Sequence, residues 1–215
     1  MHDMNNCTLD RHYVRTRIQQ ILVETGLTEK KCKIHLLHGN LSEKEMRSLY
    51  QKDFIRGYIT TTHGEGFGVP LFNAVCSDIP VVAPAWSGHL DFLSAPYTNT
   101  ISGKSKVKNL FLKTKFEINP VKDKHLMPGL ITKECEWCYV EEKSFKKNLQ
   151  TLLKTPKTHQ EDAQILGEHI RNTFSRESIF QKCVDSLNDV PTSVIPAPAF
   201  DIEVTNMFNA ISGNK

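Results

Sequence analysis

Residues 57–85 read GYITTTHGEGFGVPLFNAVCSDIPVVAPA, and this stretch decides the fold. The β-branched and aromatic segment 57–62 predicts a strand, and the glycine-rich segment 64–68 predicts a turn. A short helix is expected over 69–75, followed by a buried strand over 80–85, because that last segment is almost without polar residues. Strands separated by helices indicate a parallel sheet covered on both faces. Ligands of such sheets bind at the carboxyl ends of the strands, so the loops after these two strands are the expected site.

The alternation of strand and helix also extends upstream. Apolar residues recur at helical spacing over 9–25, and Gly26 stands where a helix C-terminus commonly needs a left-handed residue. Segment 34–37 (IHLL) predicts a short strand. Ser42 and Glu45 then match a capping box, which predicts a second helix to about residue 50.

The downstream half is less regular at first. Lysine-rich sequence interrupted by proline and glycine predicts an irregular segment between 95 and 136, with short strands such as 110–112. Helices are expected again over 141–153, 159–174 and 175–187, the last one capped by Ser175. We therefore expect an α/β fold with a Rossmann-like parallel sheet flanked by helices over residues 1–190. Residues 191–215 are expected to form a proline-containing tail in which a short helix is possible.

Composition excludes several classes of protein. The chain has 215 residues, of which 39% are hydrophobic and 24% are charged, and this balance is typical of a globular protein rather than a disordered one. A formal charge of +3 is too small to indicate a nucleic-acid or membrane-surface partner. No apolar run approaches the ~20 residues of a membrane span, and the polar first residues do not resemble a signal peptide. The expected protein is cytoplasmic and has no transmembrane segment.

The six cysteines are scattered without a disulfide framework, so reduced thiols are expected. Cys135 and Cys138 form a single C-x-x-C pair. A structural zinc site needs four ligands, and no second Cys or His pair stands at a suitable spacing. Two incidental thiols on a strand are favoured over zinc, and no metal site is predicted.

The most informative chemistry lies in residues 62–70 (THGEGFGVP), between a strand end and a helix start. Glycines allow the backbone to approach a ligand closely, and exposed amides at a helix N-terminus suit a pyrophosphate. A tight turn that serves only the fold explains the glycines equally well. Glu65 shifts this balance, because phosphate repels a carboxylate whereas vicinal hydroxyls donate hydrogen bonds to it. The expected ligand therefore carries sugar as well as phosphate.

Three blocks together resemble a known family, and shorter matches at GNLS (39–42), LY (49–50) and FS (174–175) accompany them. The blocks are HGEGFGVPLF (63–72), DIPVVA (78–83) and WSGHLDF (86–92). Their order and spacing resemble the carboxyl-terminal, nucleotide-sugar-binding half of retaining glycosyltransferases of family four and its neighbours. The resemblance covers about residues 9–187. It implies one half of a GT-B architecture and hexosyl transfer that is independent of metal.

The resemblance also assigns residues. It implies that Glu65 contacts hydroxyls of the donor hexose and that the backbone of 66–68 supports the diphosphate. Asn73 stands where the family usually has a second Glu on the ribose, and an amide offers one acceptor oxygen instead of two. The predicted catalytic residues are Glu65 and His89, and the predicted ligand-binding residues are Gly64, Gly66, Phe67, Gly68, Val69 and Asn73. No cofactor is expected, and the donor substrate is a nucleotide diphosphate sugar such as a UDP- or GDP-hexose.

Two parts of the family pattern are missing from this sequence. The Arg and Lys that neutralise the departing diphosphate precede the matched region, and the acceptor-binding half has no counterpart. Lys30, Lys31 and Arg56 are candidate replacements, although surface cations are usually only solvated. His63 and His89 follow predicted strands and are candidates for a phosphate or sugar contact, with a simple surface or backbone-bonding role as the alternative. Trp86 either shelters the site or fills the core, and core is the favoured interpretation.

The leading hypothesis is a retaining hexosyl transferase whose missing acceptor-binding half is supplied by a separate polypeptide, by an omitted segment or by self-association. The competing hypothesis is a non-catalytic or decayed module that binds nucleotide sugar weakly or serves in assembly. Nucleic-acid binding would rest only on a pI near 8.5 and on scattered lysines such as Lys104, Lys106 and Lys108, and it is not expected without interleaved aromatic residues.

Overall fold

The computed structural model describes residues 8–27, 29, 32–98, 103 and 105–188. The tail predicted over 191–215 and the candidate cations Lys30 and Lys31 lie outside the described residues. The described helices are α1 (Thr8–Glu24), α2 (Glu43–Tyr50), α3 (Val69–Cys76), α4 (Glu142–Lys154), α5 (Pro156–Thr173) and α6 (Arg176–Asn188), with short 3₁₀ helices at Gly88–Phe92 and Asp123–His125. The described strands are β1 (Tyr58–Ile59), β2 (Val81–Pro84), β3 (Ser94–Thr98), β4 (Ser105–Asn109), β5 (Leu112–Thr114), β6 (Phe116–Pro120) and β7 (Glu136–Val140).

A small parallel sheet forms the centre of the fold. Its strand order is β1–β2–β5, with Tyr58 opposite Val81 and Val82 opposite Leu112. All four residues of β2 are buried, which confirms the strand predicted from the apolar segment 80–85. Helix α3 connects β1 to β2, as the strand–turn–helix–strand pattern predicts. The α/β character and the helix-flanked parallel sheet of the prediction are therefore confirmed.

Helices α3 and α5 pack on each other beside the sheet, and α4 packs on β5. The core joins Leu71 and Val75 of α3 to Leu166 and Ile170 of α5, and Phe92 completes it with no exposed surface. Burial of these large apolar side chains is the main stabilising contribution, at roughly 1.5–3 kcal/mol for each one. This core holds the N-terminus of α3 in a fixed place at the edge of the sheet.

The segment between 95 and 136 is more regular than predicted. Strands β3 and β4 form one antiparallel hairpin, and β6 and β7 form another. The strand expected over 110–112 begins at Leu112, since Leu110 is a buried connector. The predicted short strands are therefore present, but their pairing into two hairpins was not predicted. Its strands lack strict apolar alternation because each hairpin is solvated on part of its surface, so the local pattern does not reveal them.

Two upstream predictions have different outcomes. Helix α2 begins with the predicted capping box, in which Ser42 N donates to Glu45 Oε2 (2.8 Å) and Glu45 N donates to Ser42 Oγ (3.3 Å). The strand predicted over 34–37 is wrong, because these residues have no ladder partner among the described strands and Leu37 is 62% exposed. An apolar segment becomes a strand only where a neighbouring strand accepts its hydrogen bonds.

Helix α1 confirms the helix predicted over 9–25. It ends at Glu24, and Gly26 just after it has φ +67°. Its apolar side chains remain largely uncovered, since Tyr13 is 71% exposed. The downstream helices also agree with the prediction, and Ser175 Oγ accepts from Ser178 N (3.1 Å) at the start of α6. None of the helices in the described part of the chain combines the length and the apolarity that crossing a membrane requires.

Candidate functional site

The glycine-rich bend at residues 64–68 lies between β1 and α3, at the carboxyl edge of the parallel sheet. Gly68 is the N-cap of α3 and has φ +86°, a left-handed conformation that favours glycine. Pro70 occupies the first turn of the helix, where a missing N–H donor has no consequence. A Cβ added to Gly66 would meet no atom within 4 Å, so the bend is open on that side.

The loop after β2 braces the bend from its other side. Ser87 Oγ accepts from Glu65 N (2.9 Å) and donates to Glu65 O (2.6 Å), and Gly88 N donates to the same carbonyl oxygen (3.1 Å). The backbone at Gly66 lies so close to Gly88 that any Cβ on Gly88 would collide with Gly66 O. The two loops expected at the site are therefore in direct contact. Sequence reasoning missed Ser87 and Gly88, although the serine–glycine pair directly after a buried strand was a usable signal.

Four consecutive backbone amides lie on this bend, of which those of Gly66, Phe67 and Val69 belong to exposed residues, whereas Gly68 is buried. Within the described ranges, the N–H groups of Gly66, Phe67, Gly68 and Val69 donate to no acceptor. Val69 also lies in the first turn of α3, where the helix dipole places partial positive charge. Such a row of free amides suits an anionic group such as a diphosphate.

Glu65 is half-buried in the middle of the bend, with its side chain beside Gly68. Its carboxylate makes no hydrogen bond or ion pair with any residue that the structure describes. Burial raises the pKa of Tyr58, and repulsion from the ionised form of Tyr50 and from the Glu65 carboxylate acts in the same direction. The Glu65 carboxylate is therefore an acceptor that the described protein leaves available, close to the row of amides.

The Phe67 side chain is packed on one side, and the residue remains 37% exposed. Its ring packs against Phe72 (5.2 Å between centroids), Phe92 (5.0 Å) and Phe174 (6.2 Å). This aromatic cluster anchors the bend to the core, with about 0.5–1.5 kcal/mol for each pair beyond the area that is buried.

His89 lies under the bend instead of in the open crevice. Its ring is fully buried, and Nε2 donates to Pro84 O (2.7 Å), since a carbonyl oxygen can only accept. Nδ1 is buried without a hydrogen-bond partner among the described atoms. The His89 Cβ is 3.6 Å from the place of a Cβ on Gly68, so the residue supports the N-cap of α3. A direct contact of its ring with a ligand requires the bend to move, and that contact stays a prediction.

Asn73 and Val69 line a groove of about 890 Å³ between α2 and α3. Tyr50 and Arg47 contribute to the opposite wall, and the Tyr50 hydroxyl donates to Pro70 O (3.1 Å), which ties the two helices together. The Asn73 side chain is exposed and therefore accessible within this groove. Val69 lines the groove and also carries one of these amides, whereas residues 64–68 are not among the groove's lining residues. The predicted ribose contact at Asn73 therefore lies one helical turn beyond the row of amides.

His63 is held by the β6–β7 hairpin. Its Nδ1 donates to Cys138 O (2.6 Å), and its own carbonyl accepts from Cys138 N (3.2 Å). The ring stacks on Trp137, with 4.7 Å between centroids and 14° between planes, and it also touches Tyr139. The backbone-bonding interpretation of His63 is confirmed, and the hairpin braces the bend from a third direction.

Among the candidate cations, Arg56 is exposed in the loop before β1, and Arg47 is an unpredicted cation that lines the groove beside Asn73. Burial raises the pKa of the Cys138 thiol, whose side chain is fully buried. In the part of the chain with described side chains, no three His, Cys, Asp or Glu residues are grouped so that they could hold one metal ion.

No protein-family model matches this chain, and comparisons with curated proteins and with solved structures find no match either. The resemblance to glycosyltransferases therefore depends on the quoted sequence blocks.

Proposed function

We propose that this chain binds a nucleotide diphosphate sugar and transfers its hexose to a hydroxyl acceptor with retention of configuration. Glu65 accepts hydrogen bonds from hexose hydroxyls, the amides of residues 66–69 bind the diphosphate, and Asn73 meets the ribose in the α2–α3 groove. The acceptor-binding surface comes from a second polypeptide, from self-association or from a segment outside the given sequence. In the transfer, the bond from the hexose anomeric carbon to the phosphate oxygen breaks, the acceptor oxygen bonds to that carbon, and the acceptor proton passes to the phosphate.

One observation carries this proposal: the amides of the exposed residues Gly66, Phe67 and Val69 and the Glu65 carboxylate lie on the same bend and have no partner among the described residues. Free amides alone favour any anion, and a carboxylate in the same place disfavours a simple phosphate by charge repulsion. A ligand that presents phosphate to the amides and hydroxyl donors to Glu65 satisfies both groups. A sugar joined to a diphosphate has this arrangement of donors and acceptors.

Fixed donors also suit the chemistry of transfer. Negative charge increases on the phosphate oxygen as the bond to the hexose breaks, and preorganised N–H groups stabilise that charge without reorganisation. The bend is rigid because Ser87, Gly88 and the aromatic cluster around Phe67 hold it. Arg47 lies on the wall of the neighbouring groove. It has the same guanidinium group as the Arg that the family places on its diphosphate.

A second function is favoured by Asn73, which offers one amide oxygen where two carboxylate oxygens would grip the ribose. In that case the chain binds nucleotide sugar weakly and does not catalyse transfer. The two functions differ in turnover. The transferase releases nucleoside diphosphate once an acceptor and an acceptor-binding polypeptide are added, whereas the binding module releases none.

The test is calorimetric titration of the intact chain with UDP-glucose and with GDP-mannose. Glu65→Gln is expected to weaken binding of the preferred donor roughly 10-fold or more, because a hydrogen bond to a charged acceptor is replaced by one to a neutral amide. Glu177→Gln, on the exposed surface of α6, removes the same charge far along the chain and is expected to leave donor binding unchanged.

Glu65→Gln is also expected to keep the unfolding midpoint of the wild type, since its carboxylate has no partner among the described residues. A folded chain that gives no heat with any common nucleotide sugar refutes the proposal.

A further inference from the structure

Trp86 occupies a place that the core interpretation does not explain. It directly precedes Ser87, the residue that braces Glu65, and its side chain is 37% exposed, whereas Phe92 in the core has no exposed surface. One part of the ring rests against Phe116, with 6.0 Å between ring centroids. The indole Nε1 lies 3.9 Å from the place where a Cβ would stand on Gly64. The ring therefore forms a wall next to the open bend.

The indole also carries an unused polar group. Its Nε1–H donates to no acceptor among the residues that the structure describes. An exposed indole N–H can donate either to water or to a ligand. Here the free donor stands beside Gly64, one residue before the free acceptor on Glu65. The bend thus presents an aromatic surface, a donor and an acceptor within one short segment.

We propose that Trp86 binds the hexose of the nucleotide sugar, with its Nε1–H donating to a hydroxyl oxygen and its ring covering the C–H surface of the sugar. This inference rests on the proposed function and names the residue that selects the sugar. A hexose matches the site because it has apolar C–H surface together with hydroxyls that both donate and accept. The nucleoside is assigned to the α2–α3 groove with Asn73, so Trp86 distinguishes a nucleotide sugar from the nucleotide alone.

The chain contains two tryptophans, Trp86 and Trp137, and this makes a direct test possible. Trp137→Phe leaves Trp86 as the only indole, and Trp86→Phe leaves Trp137, which is stacked on His63, as the matched control. Each variant is titrated with UDP-glucose, GDP-mannose, UDP and GDP while tryptophan fluorescence is recorded. We expect the nucleotide sugar that the wild type binds to change the emission of Trp86 beyond the change caused by its nucleotide. The emission of Trp137 is expected to stay constant.

Affinity gives a second and independent measurement. Trp86→Phe keeps the packing on Phe116 and removes the donor, so it should weaken binding of the nucleotide sugar about fivefold to tenfold, the effect of one neutral hydrogen bond. Binding of UDP or GDP alone should be unchanged. Trp86→Ala removes the ring as well and should weaken sugar binding further, and its circular dichroism and unfolding midpoint report whether the chain still folds.

The outcomes separate this inference from the function on which it rests. The role of Trp86 is overturned if the wild type binds a nucleotide sugar, Trp86→Phe binds it with the same affinity, and the emission of Trp86 in Trp137→Phe stays constant. The proposed function is then still intact. Equal weakening of nucleotide and nucleotide sugar also overturns it, because Trp86 would then act on the bend as a whole. Failure of the wild type to bind any nucleotide sugar overturns both.

Discussion

Replacing Gly88 by alanine tests the arrangement of the two loops at the site. Gly88 N donates to Glu65 O (3.1 Å), and a Cβ at this position would collide with Gly66 O and approach Glu65 O to 3.0 Å. Both oxygens are backbone atoms, so a change of side-chain rotamer cannot relieve the collision. Because non-bonded heavy atoms are stable at roughly 3.5–4.0 Å, the two loops must separate by about 1 Å or more.

The expected loss follows from the contacts that this separation breaks. Three hydrogen bonds join Glu65 to Ser87 and Gly88, at 2.9, 2.6 and 3.1 Å. At about 1 kcal/mol each, and with partial replacement by water, Gly88→Ala should lower the free energy of unfolding by about 2–3 kcal/mol. Glu65 and the free amides would also shift, so binding of a nucleotide sugar should fall together with stability.

Urea denaturation followed by circular dichroism measures the effect. The matched control is Gly66→Ala, since a Cβ on Gly66 meets no atom within 4 Å and its φ is not in the left-handed region. That variant should stay within about 0.5 kcal/mol of the wild type. If Gly88→Ala is as stable as Gly66→Ala, the close approach of the two loops is wrong.

Three further predictions concern the support of the fold. Gly167→Ala should lower the free energy of unfolding by about 1–3 kcal/mol although alanine favours helices, because its Cβ would collide with Asp78 Oδ1 and lie 2.7 Å from Val75 O. Thermal unfolding measures this loss, and a variant more stable than the wild type would contradict the prediction. Phe92→Ala should lower the free energy of unfolding by about 3–5 kcal/mol in urea, and a loss below ~1 kcal/mol would show that the aromatic core is misassigned. Burial raises the pKa of the Cys138 thiol, so the folded chain retains this proton longer than the unfolded chain. Stability should therefore fall as pH rises above about 8.5, and the fall should be smaller in Cys138→Ala, as urea titrations at several pH values can show.

The meeting of the two site loops was predictable from the sequence, because carboxyl ends of parallel strands share one edge of a sheet. The apolar segment 80–85 identified the central strand, and the glycines at 64–68 identified the bend. The capping box at Ser42 was equally readable, since its partners are three residues apart. Such features depend on neighbours in the chain or on a single strong pattern.

Other features depend on distant partners and were not predictable. The hydrogen bond from His63 to Cys138 joins residues 75 positions apart, and no local sequence pattern predicts such a contact. The burial of His89 follows from the turn of the chain at Gly88–Phe92, which placed its ring under the bend and next to Pro84 O. Segment 34–37 failed as a strand for the same reason, because strand formation is decided by the neighbouring strand.

The His63–Cys138 bond also has a consequence for the order in which the molecule assembles. Ser87 is only 22 positions from Glu65, so this brace closes a short loop of chain, whereas the brace from Cys138 must wait for 75 positions to be synthesised and brought back. The entropy lost on closure increases with the length of chain enclosed, and distant pairings form slowly. During translation we therefore expect the bend to take its shape against Ser87 first and to mature only after the hairpin has left the ribosome.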